Sequence, residues 1–338
     1  MRTVGILGAG SFGTAVAVHL AGAAGHRVRL WARDRELAER MARERVNPAY
    51  LPDVELPPRL EPTADMEALL ESEFVLSVVP SHGFRDALRQ FLPLWPVDRP
   101  VPLVSGTKGI EPETLARMSQ VSAEEGEAAG REVRFAVLSG PTFAAELARH
   151  VPSAAVVASE DEGYATEVRE CFAAPSLRLY SSSDVVGVEL GGTTKNVIAI
   201  AAGTLSGLGL GHNTLAALIT RGLHEITKLG IAYGGQPRTF AGLAGLGDLV
   251  LTCTGGLSRN RRTGLDLAAG KSLAEITGGT QMVAEGIRNS VAISRLAAQR
   301  GVEMPITQQM AAVMHEGKNP RKAVEELMTR ELKAEIEE

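Results

Sequence analysis

The sequence has only two cysteines, Cys171 and Cys253, in 338 residues. That leaves no disulfide framework and no cysteine-based metal cluster, so no metal is expected. A reducing compartment, the cytoplasm, fits. A large excess of one charge is also missing. The net charge of −5 gives no strong pull toward nucleic acid or an anionic membrane. Nor is there a hydrophobic run fit to span a bilayer. Residues 196–220 are free of formal charge and long enough by count. Their middle, Gly203-Thr-Leu-Ser-Gly-Leu-Gly-Leu-Gly211-His-Asn-Thr, is too broken and too polar. A buried helix, a glycine turn and a second helix is the better reading, and no stable membrane insertion is expected. Gly-x-Ser-x-Gly, a P-loop, internal repeats and low-complexity tracts are all absent.

What is present is ordinary in bulk. Hydrophobic residues make up 44% and charged residues 22%, as in soluble globular chains, and the length allows two domains. The opening is more specific. A short apolar run, Thr3-Val-Gly-Ile-Leu, enters Gly8-Ala-Gly10-Ser-Phe-Gly13, and a small-residue helix follows. A second strand then ends at Arg33-Asp34. This strand–turn–helix–strand context supports a βαβ unit that holds a dinucleotide. Gly8 allows the tight turn, Gly10 admits a pyrophosphate to the backbone amides, and Gly13 lets the helix sit close on the sheet. The pyrophosphate then faces the positive end of the helix dipole. A secretory signal is the rival reading of residues 3–25, but glycines, Ser11, Thr14 and His19 interrupt any apolar core. An acidic residue at the second strand end would bond a ribose 2′-hydroxyl, whereas an arginine suits a 2′-phosphate. Arg33 comes first here, which favours NADP(H) and leaves NAD(H) open.

Further along, residues 35–45 are helix-prone, and 47–58 read as a proline-rich loop. Residues 66–71 look helical. Phe74-Val-Leu-Ser-Val-Val79 is a continuous apolar run, the mark of a central parallel strand. Ser81-His82 follow its C-terminal end. Residues 101–104 and 135–138 are further strands, with a helix at 118–131 between them. The strands end in Ser105-Gly-Thr-Lys108-Gly109 and Ser139-Gly140-Pro-Thr142-Phe-Ala144. Polar, Gly-rich loops at strand C-termini and a repeated strand–helix order imply a doubly wound parallel sheet. Strands at 154–158 and 177–180 are expected at its edge. Beyond Asp184 strand-like runs stop, and helices are expected at 188–202, 214–229, 265–269, 282–299, 306–315 and 320–328. The expected division is therefore 1–183, a dinucleotide-binding Rossmann domain, and 184–338, a mainly α-helical domain carrying substrate-binding and catalytic residues.

Three stretches carry candidate chemistry. In Gly191-Gly-Thr-Thr-Lys195-Asn196, Lys195 sits among small and apolar residues. Burying it without a partner is expensive, and desolvation would bring its pKa toward the acid–base range. A lysine snorkelling at a helix edge remains the plain alternative. Asp248 stands alone in a Gly-rich apolar run and needs a cation, for which Lys195 is the natural candidate. A helix N-cap is its alternative. Ser258-Arg259-Asn260-Arg261-Arg262 offers guanidinium forks and amides suited to phosphate, against the bland reading of a solvated basic turn. His212 and His224 have no orienting carboxylate nearby in sequence and read as structural.

With these motifs in hand, the whole chain resembles the bacterial-type NAD(P)-dependent glycerol-3-phosphate dehydrogenases. The resemblance rests on Gly8–Thr14, Gly106-Thr-Lys-Gly109, Leu138-Ser-Gly-Pro-Thr-Phe-Ala-Ala-Glu146, the run 187–196, the run 242–254 and Ser258-Arg-Asn260, in family order. It implies reduction of dihydroxyacetone phosphate to sn-glycerol 3-phosphate in a cleft between two domains, supplying glycerophospholipid synthesis. Carried over by motif, Lys195 is the general acid/base, Lys108 contacts substrate and cofactor, and Asp248 orients the lysines. Gly140, Thr142, Asn196, Ser258, Arg259 and Asn260 serve the substrate. Gly8, Gly10, Ser11, Phe12, Gly13, Arg33, Lys108, Ala144, Arg259, Val283 and Glu285 serve the cofactor. A homodimer is the default for such an enzyme. A hydroxy-acid or hydroxyacyl dehydrogenase would have no special use for Ser258-Arg-Asn260. A dinucleotide-sensing regulator would need a basic or partner-binding segment that the sequence does not offer.

Overall fold

A computed structural model describes residues 1–278, 284–332 and 334–335. The first half alternates strand and helix: β1 Thr3–Leu7, α1 Ser11–Gly22, β2 Arg27–Trp31, α2 Arg35–Glu44, β3 Val46–Asn47, β4 Leu51–Glu55, β5 Leu60–Thr63 and β6 Phe74–Ser77. Then come α3 Ser81–Phe91, β7 Val101–Ser105, α4 Met118–Ala129, β8 Val133–Ser139, α5 Ala144–Ala148, β9 Ser153–Ala158, α6 Glu162–Phe172 and β10 Leu177–Ser182. The eight-stranded sheet runs β10-β9-β8-β7-β6-β1-β2-β5. Every neighbouring pair in it is parallel except β8 with β9.

The period of two explains why the central strands read as unbroken apolar runs. In β6, Phe74 and Leu76 point into the core beneath α1, α5 and α6. Val75 points into the opposite core, with Phe84, Leu88 and Phe91 of α3 and Val121 of α4. A strand covered on both faces needs apolar residues at every position. These two cores make the sheet doubly wound.

Three expectations need correction. The proline-rich stretch is not all loop, because β3 and β4 form a small antiparallel pair, and just after it β5, which was not expected, joins the main sheet beside β2. Proline is tolerated there because Pro62 lies on the outermost strand, where one side needs no ladder hydrogen bond. The stretch 66–71 makes only a single 3₁₀ turn, Glu67–Leu69. The sheet is not purely parallel, since β9 reverses against β8.

From Asp184 onward the described elements are helical: α7 Val185–Gly207, α8 His212–Ala232, α9 Pro237–Phe240, α10 Asp248–Thr254, α11 Arg259–Ala268, α12 Leu273–Gly278, α13 Glu285–Gln299, α14 Pro305–His315 and α15 Pro320–Met328. Asp184 caps α7 by accepting from the Gly187 amide at 2.8 Å. α7 is buried along almost its whole length and round its circumference. A helix apolar on all sides is a core helix, and α8, α10, α11 and α13 surround this one. Among the described residues no single helix is long and apolar enough to cross a membrane.

Candidate active site

Two helix starts and one buried carboxylate define the cleft. On the Rossmann side, β1 ends at Gly8, whose φ of +115° belongs to a region L side chains rarely adopt. A Cβ on Gly13 would stand 2.0 Å from the Gly8 carbonyl oxygen, whereas one on Gly10 would meet nothing within 4 Å. The loop is thus tight beneath and open above. α1 begins here without a side-chain cap, so its N-terminal end can receive an anion. Asn47 braces the loop from below, donating to the Ala9 carbonyl and to Thr14 Oγ1, both at 2.8 Å. These features fit a dinucleotide pyrophosphate. Arg33 is exposed at the end of β2, while Asp34 caps α2 by accepting from the Glu36 and Leu37 amides. Phe12 lies beside Gly106, and Ala144 opens α5.

On the helical side, Asp248 is 1% exposed and Lys195 is 6% exposed. Asp248 Oδ1 accepts from Lys195 Nζ at 2.5 Å and Oδ2 accepts from Lys108 Nζ at 2.6 Å. The Asp248 side chain is therefore spent on two ammonium groups rather than on capping its helix. Lys108 also donates to the Gly140 carbonyl at 3.1 Å. Lys195 also donates to Thr252 Oγ1 at 2.7 Å. Burial pulls the Lys195 pKa down to about 8, with the Lys108 charge adding to that direction and Asp248 opposing it. One carboxylate between two lysines leaves a net positive charge in a low-dielectric setting, where a developing oxyanion is best stabilised.

The phosphate-type residues open α11. Ser258 caps it, its hydroxyl accepting from the Arg261 amide at 3.1 Å. α11 crosses α7 at bare backbone: a Cβ on Gly203 would lie 1.9 Å from the Arg261 carbonyl oxygen, and one on Gly264 would lie 2.0 Å from that of Ile200. This close approach sets Asn260 beside Asn196, its Nδ2 donating to Asn196 Oδ1 at 2.9 Å. Asn260 Oδ1 accepts from the Gly286 amide at 3.1 Å. Arg259 reaches the other way and donates to Ser11 Oγ at 2.7 Å. Burial lowers its pKa from the usual arginine value. Thr142 donates to the Gly140 carbonyl at 3.3 Å. Glu285 opens α13, is half-buried, and accepts from Ser81 Oγ at 3.1 Å. Burial pushes its pKa up. Val283 lies outside the described residues.

Two family models cover most of the chain. The model for the NAD-dependent glycerol-3-phosphate dehydrogenase N-terminus matches residues 3–165, and the C-terminus model matches residues 184–325. The chain belongs to the NAD-dependent glycerol-3-phosphate dehydrogenase family. Glycerol-3-phosphate dehydrogenase [NAD(P)+] of Geobacter sulfurreducens is 52% identical over 336 residues, 98% of each chain. That of Koribacter versatilis is 49% identical over 338 residues, 99% of each. The crystal structure of glycerol-3-phosphate dehydrogenase from Coxiella burnetii superposes with a TM-score of 0.92 at 40% identity, covering 97% of this chain and 99% of that one.

In this member of the glycerol-3-phosphate dehydrogenase family, three residues at the site escaped the reading of the sequence. Thr252 stands four residues after Asp248 on one helix face, a spacing that could have marked it. Asn47 was hidden in the proline-rich stretch. Asn289 lies mid-helix with no sequence signal at all.

Proposed function

We propose that this chain reduces dihydroxyacetone phosphate to sn-glycerol 3-phosphate, with Lys195 as general acid in reduction and general base in reverse. The observation that carries it is the triad in which the buried Asp248 holds the ammonium groups of buried Lys195 and half-buried Lys108 beside the cleft. Gly8, Gly10, Ser11, Phe12, Gly13, Arg33, Ala144, Arg259 and Glu285 would hold the dinucleotide, and Lys108 would touch both ligands. When bound, the reduced nicotinamide supplies the hydride for the ketone carbon. Lys195 Nζ supplies the proton for the carbonyl oxygen, so ketone, hydride and proton add up to the secondary alcohol. Asp248 keeps both lysines aimed and offsets part of their repulsion. Ser258, Arg259, Asn260 and Asn196 at the start of α11 would anchor the substrate phosphate, where guanidinium, amides and helix dipole act together. Gly140 and Thr142 would line the pocket. Anchoring the non-reacting phosphate supplies the binding energy that orients the carbonyl.

Arg33 is open at its strand end while Asp34 is engaged as a helix cap, which supports NADPH as the preferred reductant. We take 1–183 as the dinucleotide domain and 184–338 as the catalytic helical domain. We place the enzyme in the cytoplasm as a homodimer supplying glycerophospholipid synthesis.

The test is initial-rate oxidation of NADPH, and separately NADH, at 340 nm with dihydroxyacetone phosphate and with unphosphorylated dihydroxyacetone. Turnover confined to the phosphorylated ketone supports the reaction and its phosphate anchor. Folded protein that turns over neither ketone with either cofactor refutes them.

A further inference from the structure

Helix α13 faces the lysine-bearing loop with two side chains one turn apart. Glu285 meets Ser81, and four residues later Asn289 enters the same interface. Asn289 is 1% exposed. Its Nδ2 donates to the Lys108 carbonyl at 3.3 Å and to the Thr193 carbonyl at 3.4 Å. Lys108 lies on the loop after β7, and Thr193 lies on α7 two residues before Lys195. A single side-chain amide thus bridges the main chains that carry the two ammonium groups.

We propose that Asn289 is a positioning residue that holds Lys108 and Lys195 at the spacing at which both reach Asp248. Asp248 alone is a weak clamp, because it grips only the tips of two flexible four-carbon stems. The lysines also repel each other, which pushes the loop away from α7. Asn289 opposes that separation at the backbone. Its Oδ1 is buried with no hydrogen-bond partner among the described residues. An orphaned amide oxygen is destabilising, and an apolar side chain of similar volume would not carry it. What an asparagine supplies here, and such an apolar side chain would not, is the pair of donated bonds to the two lysine-bearing segments. The inference rests on the reading of Lys195 as proton donor.

The test uses the full chain carrying Asn289→Leu, which keeps the volume and loses both donors, and Asn289→Asp, which sets lone pairs against the two carbonyls. kcat with saturating dihydroxyacetone phosphate should fall about tenfold or more, because small misplacements of reacting groups are costly. NADPH binding, read by fluorescence, should fall far less than kcat, since Lys108 is only one of the residues that would hold the dinucleotide. The groups acting on Lys195 are Asp248, Lys108 and Cys253. As Lys108 draws back, its charge disfavours the Lys195 ammonium less, so the alkaline limb of the kcat profile should move to higher pH. A residue that only supports the fold would lower Tm and leave that limb in place. If the leucine variant does not fold, Asn289→Ser takes the same measurements. Folded variants with the wild-type kcat and alkaline limb overturn the proposal. Wild-type protein that fails to reduce dihydroxyacetone phosphate refutes instead the reaction on which it rests.

Discussion

The ammonium of Lys195 lies 2.7 Å from the hydroxyl of Thr252. That hydroxyl in turn donates to the Asp248 main-chain oxygen, one helical turn back, at 2.6 Å. Thr252 is thus aligned to accept from Lys195, which stabilises the charged lysine. Thr252→Val keeps the shape and removes the acceptor. Lys195 should then lose its proton at lower pH, and kcat for reduction should fall about tenfold. A pH–rate profile with an alkaline limb unmoved from the wild type would remove Thr252 from this role.

Lys195 should set the pH dependence of both directions. Its pKa is lowered to about 8, chiefly by burial. Reduction needs the protonated form, so its rate should hold below that pH and fall as pH rises through it. Oxidation of glycerol 3-phosphate needs the neutral amine and should rise through the same range. Lys195→Ala should cost about 10²–10⁴ in kcat while NADPH still binds. Near-normal turnover by that variant would contradict the assignment.

Arg259 should couple the two ligand sites. It springs from the start of α11 and donates to Ser11 at the start of α1. Arg259→Ala should raise KM for dihydroxyacetone phosphate about tenfold and weaken NADPH as well. Steady-state kinetics with each ligand varied in turn reads both effects. An unchanged substrate KM would take Arg259 out of the phosphate site.

Arg33 should govern the choice of cofactor. Arg33→Ser should raise KM for NADPH about tenfold and leave KM for NADH nearly unchanged. Equal effects on the two cofactors would show that Arg33 does not read the 2′-phosphate.

Much of the Rossmann half was legible because its signals are local. The glycine spacing, the apolar run 74–79 and the helix-prone segments each act within one element. β5 was not legible: Leu60-Glu-Pro-Thr63 has no strand pattern of its own and is ordered by pairing with β2. The reversal of β9 against β8 is likewise a matter of pairing, which composition does not encode. At the candidate site, a lone carboxylate in an apolar run announces that it needs a cation, yet no spacing rule says which one.

Residue chemistry was written in the chain itself: a dinucleotide turn, a lysine too costly to bury alone, an acid in need of a partner, and a fork of arginines. Contact over long sequence separation was not. Lys108, Lys195 and Asp248 come from three segments and meet because α7 is buried in the helical half and faces the strand ends of the sheet. Asn289 joins them because α13 folds back on both segments. Local propensity acts over a few residues, whereas burying α7 against its neighbours fixes which distant side chains share one low-dielectric space.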